Sequence, residues 1–383
     1  MNLAFVYGYW TTGPNGPFDI DKLYEEKGLT GSESFFFNSA RGMAELGHKV
    51  TVYCVCVNEI ESAAKLGGAT VKHLSRILAP GSHPASANPV EGFDVALSWN
   101  EPDYLTIFKG SKHVCIQQLN DFQYVADKNF NSYVDLFAFP SEHHMNFMVQ
   151  DAGLDPSRCT VFSNSINLEF YDGEEVRDPH QMVYCSSPDR GLHWLLGIFP
   201  QVRKAVPDAK LNIYYKVIPW YERIKNIWDP NDSTIHPLAN RARYIKECLD
   251  RLGVNGENGV TLVGPTPNKV MARELMKAGV FTYPCDTVRY TEGYSVSILD
   301  ACAAGCVPVI SDRDAIGSVY KGVAHILPGP VVQKTWVDVI VTAMTDPAFR
   351  APILERTKAF VPKQSRQVRA TQLQGLLERL CHS

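Results

Sequence analysis

The 383-residue sequence has no apolar run long enough to cross a membrane. Its longest apolar stretches, such as residues 50–57, have the length of a strand, whereas a spanning helix needs about 18 to 20 apolar residues. The first ten residues contain no basic segment and no small-residue cleavage site, so a signal peptide is not predicted. The sequence therefore predicts a cytoplasmic protein without a transmembrane segment.

The ten cysteines lack the spacing of a metal site or of a disulfide framework. They are scattered along the chain with no C-x2-C pair and no histidine at the spacing that a zinc site requires. Cys54 and Cys56 lie on one face of a predicted strand, where small buried apolar residues are the favoured interpretation. We expect all ten to be reduced thiols.

The sequence also lacks an excess of one charge. Its net charge is −4, so bulk electrostatics do not favour nucleic acid as a partner. Within the chain the charge is uneven: residues 1–170 carry 11 Lys and Arg against 19 Asp and Glu, a net −8, and the remainder is net +4. The second part is thus the better host for an anionic ligand.

Short apolar runs alternate with helical-period segments, which is typical of an α/β fold with parallel sheets. The pattern starts again after a polar stretch at 172–181, which predicts two successive α/β domains. Their bounds are 1–172 and 173–364, followed by a C-terminal helix within 365–383. The predicted strands are 3–7, 49–55, 69–73, 95–99, 112–117, 136–139 and 160–162, and then 182–186, 210–215, 260–263, 280–283, 307–311 and 324–327.

A glycine-containing segment, 28–34, follows the opening strand and leads into a helix that begins near Ser32. Glycine allows the backbone to approach a ligand closely, and the first N–H groups of a helix can bind an anion. A diphosphate would fit such a loop, and an ordinary glycine turn explains the segment equally well. The segment is not the G-x-G-x-x-G dinucleotide fingerprint.

A second candidate is the run 185–191, which joins a predicted strand to a predicted helix and contains Ser187, Arg190 and Gly191. An arginine beside such a turn can bind phosphate oxygens through two hydrogen bonds. The alternative is a solvated arginine, which the helix dipole disfavours at this end of a helix. We therefore favour a binding role for Arg190.

The most informative segment is 291–311. Glu292 precedes a predicted helix at 295–304, and Asp300 lies eight residues further on, about two helical turns away. Two carboxylates with this spacing can hold hydroxyls at two points of an extended polar ligand. Taken singly, such residues are more often a helix cap and a solvated side chain.

Two further motifs favour structural roles. His143 and His144 open the helix after Ser141, where a cap with solvated imidazoles is favoured over a metal site. The segment Asp312-Arg313-Asp314 has the D-x-D spacing of some metal sites, but a charged turn is the favoured interpretation.

These pieces together resemble the GT-B glycosyltransferases, and in particular the retaining family 4, over nearly the whole chain. The matching pieces are the glycine segment with its G-H-x-V end at 47–50, the run 162–167, the Arg190-Gly191 turn, the strand 210–215 and the E-G-Y helix that starts from Glu292. The resemblance implies two Rossmann-like domains facing each other across a cleft, with the C-terminal helix crossing back to the first domain.

The resemblance also implies a role for each matching residue. Arg190 would bind phosphate, Glu292 the hydroxyls of the donor sugar and Asp300 the ribose. Other donor-binding positions would be Gly31, Ser187, Val263, Gly264, Gly293, Tyr294 and Ser295. The family's usual histidine is absent from the loop at 118–121, where Gln118, Asn120 or Asp121 would supply the polar contact.

The function implied is transfer of a hexose-type sugar, with retention, from a nucleoside diphosphate sugar bound by the second domain to a hydroxyl acceptor, a glycan or a small molecule, bound by the first. No metal and no cofactor are expected, because enzymes of this type generally use neither. Two alternatives stay open: a catalytically silent sugar-nucleotide-binding protein, and a sugar-nucleotide epimerase of the same fold.

Overall fold

The computed structural model describes residues 1–8, 17–26, 28–122, 125, 128–227 and 235–382. These residues form two compact units, one made of 1–167 with 363–383 and the other of 168–362. Each unit contains a mainly parallel sheet with helices, so the predicted α/β class is confirmed. The acceptor and donor roles assigned to the two domains stay predictions.

The described strands and helices follow one another along the chain. The strands are β1 (Asn2–Val6), β2 (Lys49–Cys54), β3 (Ile60–Ala63), β4 (Ala69–His73), β5 (Val95–Trp99), β6 (Lys112–Ile116), β7 (Leu136–Phe139), β8 (Cys159–Val161), β9 (Asp178–Tyr184), β10 (Lys210–Ile213), β11 (Val260–Leu262), β12 (Ala278–Tyr283), β13 (Val307–Ser311) and β14 (His325–Leu327). The helices are α1 (Gly31–Glu45), α2 (Glu142–Ala152), α3 (Leu192–Ala205), α4 (Val217–Ile224), α5 (Ile235–Leu252), α6 (Asn268–Lys277), α7 (Val296–Ala303), α8 (Ile316–Val319), α9 (Gln333–Thr345), α10 (Pro347–Phe360) and α11 (Arg366–His382).

The sheet of the first unit has eight strands in the order β3-β4-β2-β1-β5-β6-β7-β8. Only β3 runs antiparallel among the described pairs. The central strand β5 is buried along its whole length, as a strand covered on both faces must be, and this explains why all of its residues except Ser98 are apolar. On one side Phe35 and Phe36 of α1 pack edge-on against Trp99, with ring centroids 5.7 and 5.0 Å away.

The C-terminal helix α11 completes this first unit by packing on α1. Gly42 of α1 faces Ala370 of α11, and Arg366 of α11 donates to Glu45 of α1 at 3.1 Å. Arg366 is only 3% exposed and also donates to Asn167 at 2.5 Å. The predicted return of the C-terminal helix to the first domain is thus what the structure shows.

The sheet of the second unit has six parallel strands in the order β11-β10-β9-β12-β13-β14. Its first strand, β9, begins at Asp178, inside the polar stretch that the sequence predicts to join the domains. Arg177 in that stretch donates to the carbonyl of Ala304, beyond the last residue of α7, at 2.5 Å. None of the residues 172–181 is buried, as their polar composition predicts, and the end of the stretch supplies the start of a strand and a helix cap.

Each sheet contains one point where the strand order reverses. In the first unit this point lies between β1 and β5, and in the second it lies between β9 and β12. Loops that leave neighbouring strands in opposite directions open a crevice there, which is where open α/β sheets bind ligands. The loops after β1, β5, β9 and β12 are therefore the first places to look for a site. No helix in the described ranges is long and apolar enough to cross a membrane.

Candidate functional site

The loop after β9 is a tight turn that presents Arg190. The Arg190 N–H donates to the Ser187 carbonyl at 3.0 Å, and the Ser187 hydroxyl donates to Asp189. Gly191 follows with a φ of +101°, and a Cβ at this position would lie 2.1 Å from the Pro284 carbonyl oxygen. Only glycine therefore lets this turn lie against the loop that follows β12.

Arg190 and Glu292 form an ion pair at the point of reversal in the second sheet. The Nη1 of Arg190 donates to Oε1 of Glu292. The Glu292 side chain is 1% exposed and that of Arg190 is 32% exposed. Arg190 Nε and Glu292 Oε2 are both buried, and neither has a hydrogen-bond partner among the described residues. The residues predicted to bind the phosphate and the sugar of one sugar nucleotide are thus in contact with each other. Each also has a buried polar atom that a ligand could hydrogen-bond.

Burial and charge act on this pair in opposite directions. Burial raises the pKa of Glu292, while the Arg190 guanidinium and the Ser295 and Tyr283 hydroxyls lower it, and the net pKa is above the ordinary value. For Arg190, burial lowers the pKa and the Glu292 carboxylate raises it, so that the net pKa is higher than usual. Arg190 therefore remains a cation at every physiological pH.

Asp300 is held by a different partner. Its Oδ1 accepts a hydrogen bond of 2.7 Å from the hydroxyl of Tyr171, which lies in a 3-10 turn at the start of the second unit. Burial raises the pKa of Asp300 and the hydrogen bond from Tyr171 lowers it, with burial the larger effect, so that the net pKa is about 6. A ribose hydroxyl bound by this oxygen would compete with the tyrosine. The role of Asp300 toward ribose stays a prediction.

The segment 293–295 leads directly into α7. The helix begins at Val296, one residue later than predicted, because Ser295 is the N-cap with a φ of +66°. The Ser295 carbonyl accepts from the Tyr320 hydroxyl at 2.8 Å, and the Tyr294 ring packs edge-on against Tyr320. The backbone of Gly293, Tyr294 and Ser295 is thus fixed next to the ion pair, where the sequence predicts donor contacts.

Val263 and Gly264 lie beyond the carboxyl end of β11, two strands from β9. Their N–H groups both donate to the Ile213 carbonyl, at 3.0 and 3.3 Å. Val263 is 46% exposed, so its side chain is available to a ligand. The predicted contact with a nucleobase needs such an exposed apolar surface, and it stays a prediction.

In the first unit, Gly31 is the first residue of α1. Thr30 caps the helix: the Glu33 N–H donates to the Thr30 hydroxyl at 3.3 Å, and the Thr30 N–H donates to the Glu33 carboxylate at 2.7 Å. This reciprocal capping box satisfies two of the N–H groups at the helix start. The sequence predicts unpaired N–H groups here for an anion, and for Glu33 this is wrong, because its amide is bonded within the cap.

The loop after β6, with Gln118, Asn120 and Asp121, is tied to the loop after β5. Asn100 adopts a φ of +64°, and its side-chain oxygen accepts from the N–H groups of Gln118 and Leu119 at 2.6 and 3.1 Å. Gln118 Nε2 is buried and has no hydrogen-bond partner in the part of the chain that the structure describes. Gln118 is therefore the member of the predicted trio with a buried donor still to satisfy.

A buried histidine supports the same loop. His144 is fully buried, and its Nε2 lies 3.1 Å from the Leu119 carbonyl. Burial lowers its pKa to about 4, so the imidazole is neutral. The sequence predicts a solvated imidazole at this position, which is wrong: Ser141 does cap the helix, as expected, but the cap turns His144 inward against Phe139.

Glu101 also lies at the point of reversal in the first sheet, directly after β5. Its Oε2 is buried without a hydrogen-bond partner among the described residues. Burial raises its pKa to about 7, and the nearby Asp103 carboxylate raises it as well. Sequence reasoning missed Asn100 and Glu101, although polar residues directly after a predicted strand are the signal that would have found them. Tyr171 has no comparable signal.

The fold is that of solved glycosyltransferases. A sucrose-phosphate synthase from Thermosynechococcus elongatus superimposes with a TM-score of 0.66 at 13% identity over 99% of each chain. AviGT4, a glycosyltransferase involved in avilamycin A biosynthesis, has a TM-score of 0.66 at 13% identity over 100% of this chain and 99% of its own. HepE from Anabaena in complex with UDP has a TM-score of 0.62 at 14% identity, over 99% of this chain and all of its own.

The similarity in sequence is much weaker than the similarity in fold. No protein-family model and no curated protein matches the sequence. At 13 to 14% identity the likeness establishes the architecture alone. The chain therefore has the GT-B fold of two Rossmann-like units, and the predicted fold class is confirmed.

Proposed function

We propose that the protein is a retaining glycosyltransferase of the family 4 type, which moves a hexose-type sugar from a nucleoside diphosphate sugar to a hydroxyl acceptor without a metal ion or cofactor. The observation that carries the proposal is the Arg190–Glu292 ion pair at the reversal between β9 and β12. UDP is the nucleotide in the HepE complex, which makes UDP sugars the first donors to test. A cytoplasmic location is part of the proposal.

Arg190 is the proposed diphosphate ligand. A diphosphate carries more negative charge than a single carboxylate, so it competes with Glu292 for the guanidinium. The unused Nε–H lies on the guanidinium edge that also carries Nη2, and these two donors in one plane suit a phosphate oxygen pair. As the bond between the sugar and the diphosphate breaks, this cation stabilises the charge that develops on the leaving group.

Glu292 is the proposed sugar ligand. A buried carboxylate oxygen without a donor is unfavourable by about 1 to 3 kcal/mol, and a sugar hydroxyl would satisfy Oε2. When the diphosphate takes Arg190, Oε1 becomes available as well. The sugar nucleotide would thus provide a partner for each residue of the ion pair, the diphosphate for Arg190 and the sugar hydroxyls for Glu292.

The chemical step needs no protein nucleophile. The bond between the anomeric carbon and the diphosphate oxygen breaks, and a bond from that carbon to the acceptor oxygen forms on the same face. The acceptor proton passes to the leaving phosphate oxygen. The first unit, with its net −8 over residues 1–170, is the proposed site for an uncharged hydroxyl acceptor rather than an acidic one.

A catalytically silent sugar-nucleotide-binding protein is the second candidate. The absence of the family's histidine from 118–121 and the Tyr171 hydroxyl on Asp300 both favour it. Incubation of the pure protein with UDP-glucose separates the two candidates, because only a transferase moves the glucose to a hydroxyl acceptor or, more slowly, to water and so releases UDP. An epimerase would instead return an altered sugar nucleotide, which chromatography with mass spectrometry resolves.

Two substitutions test the assigned roles. Arg190→Ala should weaken UDP binding by about 1.5 to 3 kcal/mol, the range for hydrogen bonds to charged groups, measured by calorimetry. Glu292→Gln should lower turnover of the sugar nucleotide more than it lowers UDP affinity, because the carboxylate meets the sugar and not the nucleotide. Arg223→Ala, an exposed arginine of α4, is the matched control and should change neither quantity.

Unchanged UDP affinity in Arg190→Ala would move the diphosphate site elsewhere. Normal turnover in Glu292→Gln would remove the proposed role of the carboxylate. Either result would contradict the proposed donor site even if the wild type proves to be an active transferase.

A further inference from the structure

The turn that follows β13 holds the loop that carries Glu292. Oδ2 of Asp314 accepts three hydrogen bonds from that loop: from the Thr287 hydroxyl at 2.9 Å, the Thr291 N–H at 3.1 Å and the Glu292 N–H at 3.1 Å. One carboxylate oxygen thus gathers three donors from residues more than twenty positions away in the sequence.

The backbone of the same turn reinforces this contact. The Ala315 N–H donates to the Glu292 carbonyl at 3.0 Å. Glu292 is thereby held on both sides of its own Cα, through its N–H by Asp314 and through its C=O by Ala315. Arg313 adds a bond from Nη2 to the Thr287 carbonyl at 2.9 Å.

The conformation of Asp314 suits this task. Its side chain is 8% exposed, and its φ is +47°, in the left-handed region that non-glycine residues seldom adopt. Such a conformation persists where surrounding interactions determine it. Here those interactions are the bonds to the Glu292 loop.

The same bonds account for the D-x-D spacing of Asp312-Arg313-Asp314. A metal-binding carboxylate needs lone pairs for the cation, whereas Oδ2 of Asp314 already accepts three hydrogen bonds. Asp312 is exposed, and a group of three or more metal-binding side chains is not found in the described ranges. The favoured sequence interpretation, a charged turn, therefore omits a specific function in positioning.

We infer that Asp314 is a positioning residue, which fixes the 287–292 loop so that the Glu292 carboxylate meets the donor sugar. The inference that the loop is fixed stands on the geometry, and its catalytic consequence rests on the proposed function. In this role Asp314 acts through the loop, because its Oδ2 accepts from Thr287, Thr291 and Glu292. Its carboxylate also raises the pKa of Glu292, against the effect of Arg190.

The test compares three variants of the full chain. Asp314→Ala removes the acceptor and leaves three donors without their partner. Asp314→Asn keeps a carbonyl oxygen that can accept from the loop but loses the charge. Asp312→Asn changes an exposed carboxylate in the same turn and serves as the matched control. Thermal melts establish that each variant folds.

Two readouts separate the structural part from the catalytic part. The first is amide hydrogen exchange of a peptide spanning 287–292 without ligand, where we expect Asp314→Ala to speed exchange at Thr291 and Glu292 by roughly tenfold or more, and Asp314→Asn to speed it less. The second is UDP release from UDP-glucose, where kcat should fall by roughly tenfold in Asp314→Ala and recover partly in Asp314→Asn, with UDP affinity changed by less than about threefold. Asp312→Asn should leave both readouts unchanged.

Unchanged exchange in Asp314→Ala would overturn the inference whatever the activity is. Faster exchange with wild-type kcat would overturn its catalytic part. Faster exchange in a protein whose wild type neither binds nor turns over any sugar nucleotide would support the assigned loop contact and overturn the proposed function instead.

Discussion

Three carboxyl groups of this protein, those of Glu101, Glu292 and Asp300, combine burial with a raised pKa. The groups next to each carboxyl determine how readily it ionises. Glu292 is paired with the Arg190 cation, and Asp300 accepts from the neutral hydroxyl of Tyr171. The ionisation of Glu101 is opposed by burial and also by repulsion from the carboxylate of Asp103.

The pKa of Glu101 makes the stability of the folded state dependent on pH. In the unfolded chain the group ionises near 4.5, and in the folded chain near 7, so the folded state binds more protons between these values. Stability contributed by the protonated group is complete below pH 4.5 and is lost as the pH rises through 7.

We therefore expect Glu101→Gln, relative to wild type, to gain about 2 kcal/mol in unfolding free energy between pH 5 and pH 8, measured by denaturant titration at each pH. The gain arises because glutamine cannot ionise. Glu91→Gln, at an exposed carboxylate, is the control and should show no such trend. A difference from wild type that stays constant across the pH range would show that Glu101 is already charged at pH 5.

At the scale of helices and strands, buried elements were the predictable ones. Strands β5 and β13 have the bounds that the sequence predicts, 95–99 and 307–311, because a parallel strand covered on both faces is mostly apolar along its whole length. Strand β3 was missed because it is an edge strand whose middle residues, Glu61 and Ser62, are exposed and polar. An edge strand is exposed to solvent, so its sequence lacks the apolar residues by which a buried strand is predicted.

The candidate site divides in the same way. Arg190 was predictable as a candidate because it lies at a turn between a predicted strand and a predicted helix, and Glu292 because it directly precedes a predicted helix. Their contact with each other was not, because it joins positions 102 residues apart. Tyr171 and Asp300 lie 129 positions apart, and only the folded chain brings the hydroxyl to the carboxylate. The local sequence predicts the position of a turn, whereas tertiary packing determines which residues the side chains of that turn contact.

The contact between α1 and α11 depends on the small side chains that face each other. A Cβ added at Gly42 would lie 2.6 Å from the Cβ of Ala370, closer than two carbon atoms can approach. Gly42→Ala should therefore lower the free energy of unfolding by about 1 to 3 kcal/mol, the range for overpacking, even though alanine favours a helix.

The control for this prediction is Gly375→Ala in α11. There the nearest atom to the new Cβ is the flexible end of Arg379 at 3.5 Å, so the substitution should stabilise by about 0.5 to 1 kcal/mol through helix propensity. Denaturant unfolding of both variants tests whether the free energy of unfolding falls in Gly42→Ala and rises in Gly375→Ala. Equal stabilisation by the two would mean that α11 does not pack closely on Gly42.

At the scale of the whole molecule, all ten cysteines are free in the structure, and their reduced state stays a prediction. Seven are buried, Cys159 and Cys185 are half-buried, and Cys381 is exposed. Burial raises the pKa of Cys159 to about 11, which leaves little of the reactive thiolate at neutral pH.

We expect a thiol reagent to modify one cysteine rapidly in the native protein and all ten after denaturation. Cys381→Ser should remove the rapid phase, and Cys159→Ser should leave it unchanged. The measurement is the absorbance change on thiol modification. A count of eight or fewer thiols after denaturation without reductant would instead indicate a disulfide.

The first unit is formed from both ends of the chain, and this affects how the protein folds during synthesis. The first unit takes its last helix from residues 366–382, which leave the ribosome only after the whole of the second unit has been synthesised. Until then the Gly42 face of α1 is uncovered on the nascent chain. A fragment that stops at residue 167 would lack α11, so the Gly42 face of α1 would stay exposed to solvent. To obtain the first unit alone, it is better to replace the second unit by a short linker that joins residue 167 to residue 363.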